Sequence, residues 1–312
     1  MTVLAFIHFA RSQVQIAVIE VGLGGRLDAT NVITPLVSAI TTISRDHEAY
    51  LGHDLLSIAR EKGGIIKSGV PVVCGALLPE VKDCLDAIAV ERGAPAYFLG
   101  IDFSFFLKQD GDFDYRGIKR NFGDLRVALH GPHQKANAAI AVAALENIAA
   151  RFPVEEEAIR NGLATVRWAG RFEVLCYSPT LILDGAHNGE GAQALVRALE
   201  EFRGGIKAKF LFAAMADKDW RLILDTLLPL AEEFVFTRVR MDRSADPEDL
   251  VKQVAGKLPT RCIPDSRLAL GTVMKDAASD AVVVVAGSLY LLGEIRPLAE
   301  HIARRQNSTQ SN

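Results

Sequence analysis

Residues 16–31 read IAVIEVGLGGRLDATN, an apolar run that carries one carboxylate, Glu20, and opens into a glycine loop and an Asp-Ala-Thr-Asn turn. The β-branched residues predict a strand over 16–21, with Glu20 near its carboxyl end. A lone acid in an oily strand costs several kcal/mol unless a cation or a donor meets it. The run therefore predicts something positive at that strand end. The glycines predict backbone that approaches a ligand closely, with Arg26 and Asp28 projecting from the loop. A dinucleotide reading fails, because the third glycine of that fingerprint falls on Leu27.

Working outward, apolar runs alternate with helical stretches, the pattern of βα units. Strands are predicted over 36–43 and 70–75, and helices over 3–11, 55–66, 79–92 and 133–151. Between residues 98 and 129 short runs broken at Asp110-Gly111, Arg116-Gly117 and Phe122-Gly123 predict antiparallel hairpins. A second βα series predicts strands over 180–183, 209–213, 234–239, 261–263 and 281–286. Helices follow over 191–202, 220–230, 247–255, 267–277 and 289–304. The fold class is α/β: a mostly parallel sheet with helices over 1–168, a compact doubly wound, Rossmann-like domain over 169–305, and a disordered polar tail over 306–312.

Bulk properties narrow the function classes. The 312 residues are 49% hydrophobic and 23% charged, with a net charge of −3, so no basic surplus exists to neutralise nucleic-acid phosphates or an anionic membrane. Cys74, Cys84, Cys176 and Cys262 lie far apart with no zinc spacing, which predicts buried free thiols in a reducing compartment. No secretory pattern and no membrane-length apolar run occurs, so a cytoplasmic protein is expected.

Several groups could carry chemistry. Glu20, Asp46-His47 and Lys62 follow consecutive elements of the first domain, and in a parallel sheet such positions can converge at the carboxyl edge. Singly, His47 and Lys62 read as structural residues. Together with Glu20 they suggest a divalent cation site. His133, Gln134 and Asn137 open an Ala-rich helix, where polar groups suit a cap or a ligand. Asp184-Gly185-Ala186-His187-Asn188 ends a buried strand and starts a helix, the place where ligands gather and where backbone N–H groups favour an anion. Gly287-Ser288-Leu289-Tyr290 repeats that arrangement at another strand end. Asp219 is expected to cap the helix after it. No G-x-x-x-x-G-K-[ST] occurs; residues 63–68 (GGIIKS) lack the glycine before the Lys-Ser pair.

The motifs EVGLGGRLDATN (20–31), SRDHEAYLG (44–52), IAREKGGIIKSG (58–69), GPHQKANA (131–138), GRFE (170–173), LDGAHN (183–188), DKDW (217–220) and GSLY (287–290) resemble, in order, those of the folylpolyglutamate synthase/dihydrofolate synthase branch of the Mur ligases. The resemblance implies a Mur-ligase central ATPase domain, partial here, joined to a smaller Rossmann-like domain. It implies an ATP-dependent amide ligase that adds L-glutamate to dihydropteroate or folates through an acyl phosphate. By the same resemblance Glu20 and His47 are magnesium ligands and Lys62 is a carbamylated lysine. Leu27, Asp28 and Ala29 meet the pterin substrate, Asn137, Arg171 and Asp184 meet ATP, and His187 and Ser288 handle glutamate beside Asp184. Magnesium and ATP are the implied cofactor and co-substrate, the partners are small molecules, and the enzyme is a monomer. The phosphate-binding loop, a further metal-ligating serine and part of the pterin pocket are placed upstream of Met1. That predicts little or no turnover by the chain alone. Other readings are a cell-wall Mur-type ligase and a non-catalytic partner of a split ligase; the failed fingerprint disfavours a nicotinamide oxidoreductase.

Overall fold

The computed structural model describes residues 1–43, 52 and 54–310 and divides them into two compact units. The first unit comprises residues 1–127 and 135–165, the second 128–134 and 166–312.

The first unit begins with α1 (Thr2–Arg11), a helix with no buried residue. Strands β1 (Ser38–Ile40), β2 (Val72–Cys74) and β3 (Ala96–Phe98) form a parallel sheet in that order. Helices α2 (Leu55–Gly63) and α3 (Pro79–Glu91) supply its crossovers. The period-2 geometry of a strand sends Val72 and Cys74 to one face, among Ile40, Ile58 and Leu85. Val73 faces the other way, among Ala139, Ile140 and Tyr115. The second face is covered by α4 (Pro132–Ile148) from Ala138 onward and by an antiparallel sheet of β4 (Ser104–Leu107), β5 (Phe113–Arg116) and β6 (Asn121–Leu125). The hairpins read from the sequence are therefore present, with turns after β4 and β5, but the break expected at Phe122-Gly123 falls inside β6. Helix α5 (Glu156–Thr165), which the sequence reading left out, ends the unit.

The strand expected over 16–21 does not form; that run lies outside all three sheets. Ile16 is 53% and Val18 93% exposed, and Glu20 is exposed as well. β-Propensity places a residue in a strand only where a neighbour completes the hydrogen-bond ladder, and among the described residues β1 pairs with β2 alone. The burial cost that called for a cation beside Glu20 therefore does not arise.

In the second unit β7 (Glu173–Tyr177) runs antiparallel to β8 (Thr180–Leu183), and the rest of the sheet is parallel. With β9 (Ala208–Phe212), β10 (Ala231–Arg238), β11 (Thr260–Asp265) and β12 (Val282–Ala286) the order is β11-β10-β9-β12-β8-β7. Ile182, Phe210, Phe212 and Val284 line one face beneath α6 (Gly189–Arg203), α7 (Trp220–Leu227) and α8 (Pro247–Val254). Leu181, Leu183, Leu211 and Val283 line the other beneath α9 (Ser266–Asp276) and α10 (Leu289–Gln310). Asp219 caps α7 as expected, and Asn188 and Asp265 cap α6 and α9; each accepts the backbone N–H three positions on. The backbone of α10 continues to Gln310, so 306–310 is helical where a disordered tail was expected. All four cysteines are free, and Cys262 is exposed. Among the described residues no helix is long and apolar enough to cross a membrane.

Candidate active site

In the first unit loop 22–31 is held from inside by Asp28. Its Oδ2 accepts from Gly22 N (3.0 Å) and Leu23 N (3.1 Å), and its Oδ1 from Thr30 N (2.8 Å) and Thr30 Oγ1 (2.5 Å). Burial pushes the Asp28 carboxyl up, but the Thr30 hydroxyl and three backbone donors outweigh it and hold it below the ordinary carboxylate range. Asp28 thus turns back into its own loop instead of projecting from it. The side chain left outward is Leu27, 79% exposed, with Ala29 exposed nearby.

The loop then docks on the end of α2. Arg26 N donates to Glu61 O (2.8 Å), and the Arg26 guanidinium donates to Glu61 Oε1 at 3.0 and 2.9 Å. Glu61 is therefore an anchor for the loop and no free surface acid. A methyl group on Gly25 would lie 2.7 Å from Glu61 O, and one on Gly64 2.4 Å from Arg26 Cα, so the two backbones meet only as glycine. Asn31 Nδ2 bridges Arg26 O (3.0 Å) and Gly64 O (3.2 Å), and Lys67 Nζ donates to Asn31 O (2.7 Å). Leu27, Asp28 and Ala29 are thereby gathered at the helix end that carries half-buried Lys62, with Glu20 at the loop entrance. His47 lies outside the described residues. Asn137 is half-buried in the second turn of α4.

In the second unit the carboxyl ends of β8 and β12 stand side by side. Asp184 ends β8; its Oδ1 accepts from Ala186 N and its Oδ2 from Phe172 N, both at 2.8 Å. Burial lifts the Asp184 carboxyl above its ordinary range, against the pull of those donors and of nearby Arg171 and His187. Gly185 N donates to Gly170 O (2.8 Å), His187 Nδ1 pairs with Gly185 O (2.8 Å), and Asn188 Oδ1 accepts from Gly191 N (2.7 Å) at the start of α6. Gly287 ends β12 at φ +100, and a methyl there would lie 2.3 Å from Ala213 O at the end of β9. Ser288 is 2% exposed; its Oγ accepts from Tyr290 N (3.2 Å), which leaves the O–H to donate. Arg171, Asp184, His187 and Ser288 are thus brought to one edge of one sheet, while Leu27, Asp28, Ala29 and Lys62 share a junction in the other unit.

Three supporting features escape a reading by spacing. Phe172 adopts φ +44 and presents its N–H to Asp184. Glu173 accepts from Gly170 N (2.7 Å) and pairs with Arg296, which holds the GRFE turn from a helix 123 positions away. His130 packs on Phe172 and Phe202 with ring centroids 5.2 Å apart in each case, which groups residues 128–134 with the second unit. The first two lie in the GRFE motif, which the sequence marks only by its resemblance to the family.

Residues 170–289 match the family model described as Mur ligase, glutamate ligase domain, a span that opens at Gly170 and closes at Leu289. Over 308 residues the chain is 32% identical to the dihydrofolate synthase/folylpolyglutamate synthase of Bacillus subtilis, covering 95% of this chain and 70% of that protein. The chain belongs to the folylpolyglutamate synthase/dihydrofolate synthase family. Among solved members, Escherichia coli FolC in complex with DHPP and ADP superposes with a TM-score of 0.86 at 30% identity, over 95% of this chain and 69% of that one. The Yersinia pestis bifunctional enzyme complexed with AMPPNP and Mn gives a TM-score of 0.82 at 33% identity, over 97% and 69%. The α/β Mur-ligase fold expected from the motifs is the fold of these folate-branch synthases.

Proposed function

We propose that this chain is an ATP-dependent ligase that joins L-glutamate to dihydropteroate or to folates. The observation that carries the reading is the carboxyl edge of the second sheet, where Asp184, His187 and Ser288 stand at adjoining strand ends inside the stretch matched to a glutamate ligase domain. In the reaction a carboxylate oxygen of the pterin substrate attacks the γ-phosphorus and ADP leaves. The amine nitrogen of glutamate then attacks the acyl carbon, and phosphate leaves.

Each residue has a part that its surroundings suit. Leu27, Asp28 and Ala29 meet the pterin, Leu27 with an apolar face, on a loop whose shape Asp28 holds. Asn137, Arg171 and Asp184 meet the nucleotide. His187, with its Nδ1 engaged by Gly185 O, has Nε2 to present to the glutamate, and Ser288 follows the adjoining strand end with its O–H to donate. Lys62 as a carbamate contributes an anion facing the cation or the phosphate.

Among the described residues no cluster of three His, Cys, Asp or Glu side chains could hold a metal by itself. Magnesium keeps waters and phosphate oxygens and takes one or two protein donors. The exposed Glu20 carboxylate, with His47, would supply them. When bound there, magnesium offsets charge on the transferring phosphoryl group. The free thiols suit a reducing compartment, so we place the enzyme in the cytoplasm, and on the family resemblance we take it as a monomer.

Incubation with MgATP, L-glutamate and either dihydropteroate or a folate tests the reading, with the product followed by mass spectrometry. Formation of the glutamylated product, even slowly, only when all three are present supports it. No glutamate-dependent product together with no binding of ADP contradicts it.

A further inference from the structure

The segment after β10 crosses the carboxyl edge of the second sheet toward Ser288. Val239 N donates to Ser244 Oγ (3.2 Å), Ala216 N to Arg243 O (2.9 Å) and Ala245 N to Ala214 O (2.8 Å), so residues 239–245 form a closed loop seated beside the end of β9. Two side chains of α10 hold it from outside. Glu294 Oε2 accepts from Arg240 N (3.1 Å), while its Oε1 accepts from Ser266 Oγ (2.8 Å) and lies 3.4 Å from Arg240 Nε. One turn earlier Tyr290 receives Arg243, with Nη2 3.3 Å from the phenol oxygen and the guanidinium carbon 5.7 Å from the ring centre.

Positions 290 and 294 share a helix face, and that helix starts immediately after Ser288. The loop is therefore fastened at two points to the element that carries Ser288. The Glu294 side chain is only 14% exposed. It borders a cleft of about 450 Å3 shared with Arg238, Arg240, Asp242, Asp265 and Ser266. A carboxylate that takes the backbone N–H and guanidinium of Arg240 from the loop and the Ser266 hydroxyl from the start of α9 costs burial and returns geometry.

We propose that Glu294 is a positioning residue for the amine-transfer half of the ligase reaction: it fixes the 239–245 loop on α10 and thereby sets where the Arg243–Tyr290 pair lies beside Ser288. The inference rests on the ligase reading above. A glutamine at 294 keeps one acceptor oxygen and turns an NH2 toward a donor, so either the Arg240 N–H or the Ser266 hydroxyl loses its partner.

The test compares wild type, Glu294→Gln, Glu294→Asp and, as a control on the same helix, Glu300→Gln. Hydrogen exchange of amides 240–245 reads the clamp; L-glutamate affinity and ADP affinity, by calorimetry and by KM where turnover is measurable, read its purpose. Expected are roughly tenfold faster exchange and a roughly tenfold weaker L-glutamate affinity for Glu294→Gln, with ADP affinity unchanged, partial recovery in Glu294→Asp and no effect of Glu300→Gln. Unchanged exchange in Glu294→Gln overturns the clamp. Faster exchange with unaltered glutamate affinity, or with ADP affinity falling equally, overturns the positioning role. A wild type that binds no glutamate refutes the ligase reading and this role with it, and the exchange result then still reports separately on the clamp.

Discussion

At the scale of single residues, Gly287 and Asp184 make the sharpest demands on the sequence. Gly287 combines a left-handed φ of +100 with a backbone oxygen 2.3 Å from where a methyl would sit. Neither can relax without moving β9 or β12. Gly287→Ala is expected to cost about 2–4 kcal/mol in urea unfolding, and glutamate binding should fall with it because Ser288 is displaced. Asp184 makes a prediction with a sign. Burial raises its folded-state carboxyl above the unfolded value, so the unfolded chain ionises first as pH rises. The stability that Asp184 contributes is complete below the ordinary carboxylate range and is lost as pH climbs through the raised folded value. Urea melts across pH should show that decline in wild type and its absence in Asp184→Asn. This environment was half legible: the Asp-Gly-Ala-His-Asn run after an apolar strand announces a sheet-edge site, but the Phe172 N–H that meets the carboxylate comes from a turn 12 residues earlier.

At the scale of elements, legibility followed whether a segment's reasons were local. β12 (VVVVA) is buried on both faces and reads as a strand from its own letters, and capped helices such as α7 announce their starts. β7 was missed because its ends are secured by distant partners, Glu173 by Arg296 above all. In α5 only Ile159 is buried and Gly162 interrupts the pattern, so its periodicity is faint. The run 16–21 misled in the opposite direction, since its composition says strand and none of the strands among the described residues pairs with it. A buried carboxylate illustrates how far elements depend on one another. Glu146 on α4 accepts from Tyr115 Oη (2.8 Å), Ile118 N (2.9 Å) and Arg120 N (2.6 Å), fastening the turn between β5 and β6. Glu146→Ala leaves those donors unmet and is expected to destabilise the first unit by about 3–5 kcal/mol, read as a lower urea midpoint with unchanged slope.

At the scale of the whole molecule, the amino-terminal stretch is the exception to ordinary burial. Val3, Leu4 and Ile7 of α1 and Val14, Ile16 and Val18 after it are all exposed large apolar side chains. Such a surface favours association as concentration rises. Leu4→Glu combined with Val18→Glu should reduce concentration-dependent association in sedimentation velocity while leaving the melting temperature unchanged, because neither side chain is packed. The central claim concerns the opposite kind of surface, one shaped to hold a cation and a nucleotide. Crystals grown with AMPPNP and manganese, measured at the manganese absorption edge, test it most directly. The account predicts an anomalous peak in coordination distance of Glu20, on the order of 2.1 Å, with His47 as a second ligand and the Lys62 side chain, as its carbamate, turned toward the ion. A peak held elsewhere, with Glu20 and Lys62 both directed away from it, would contradict the account.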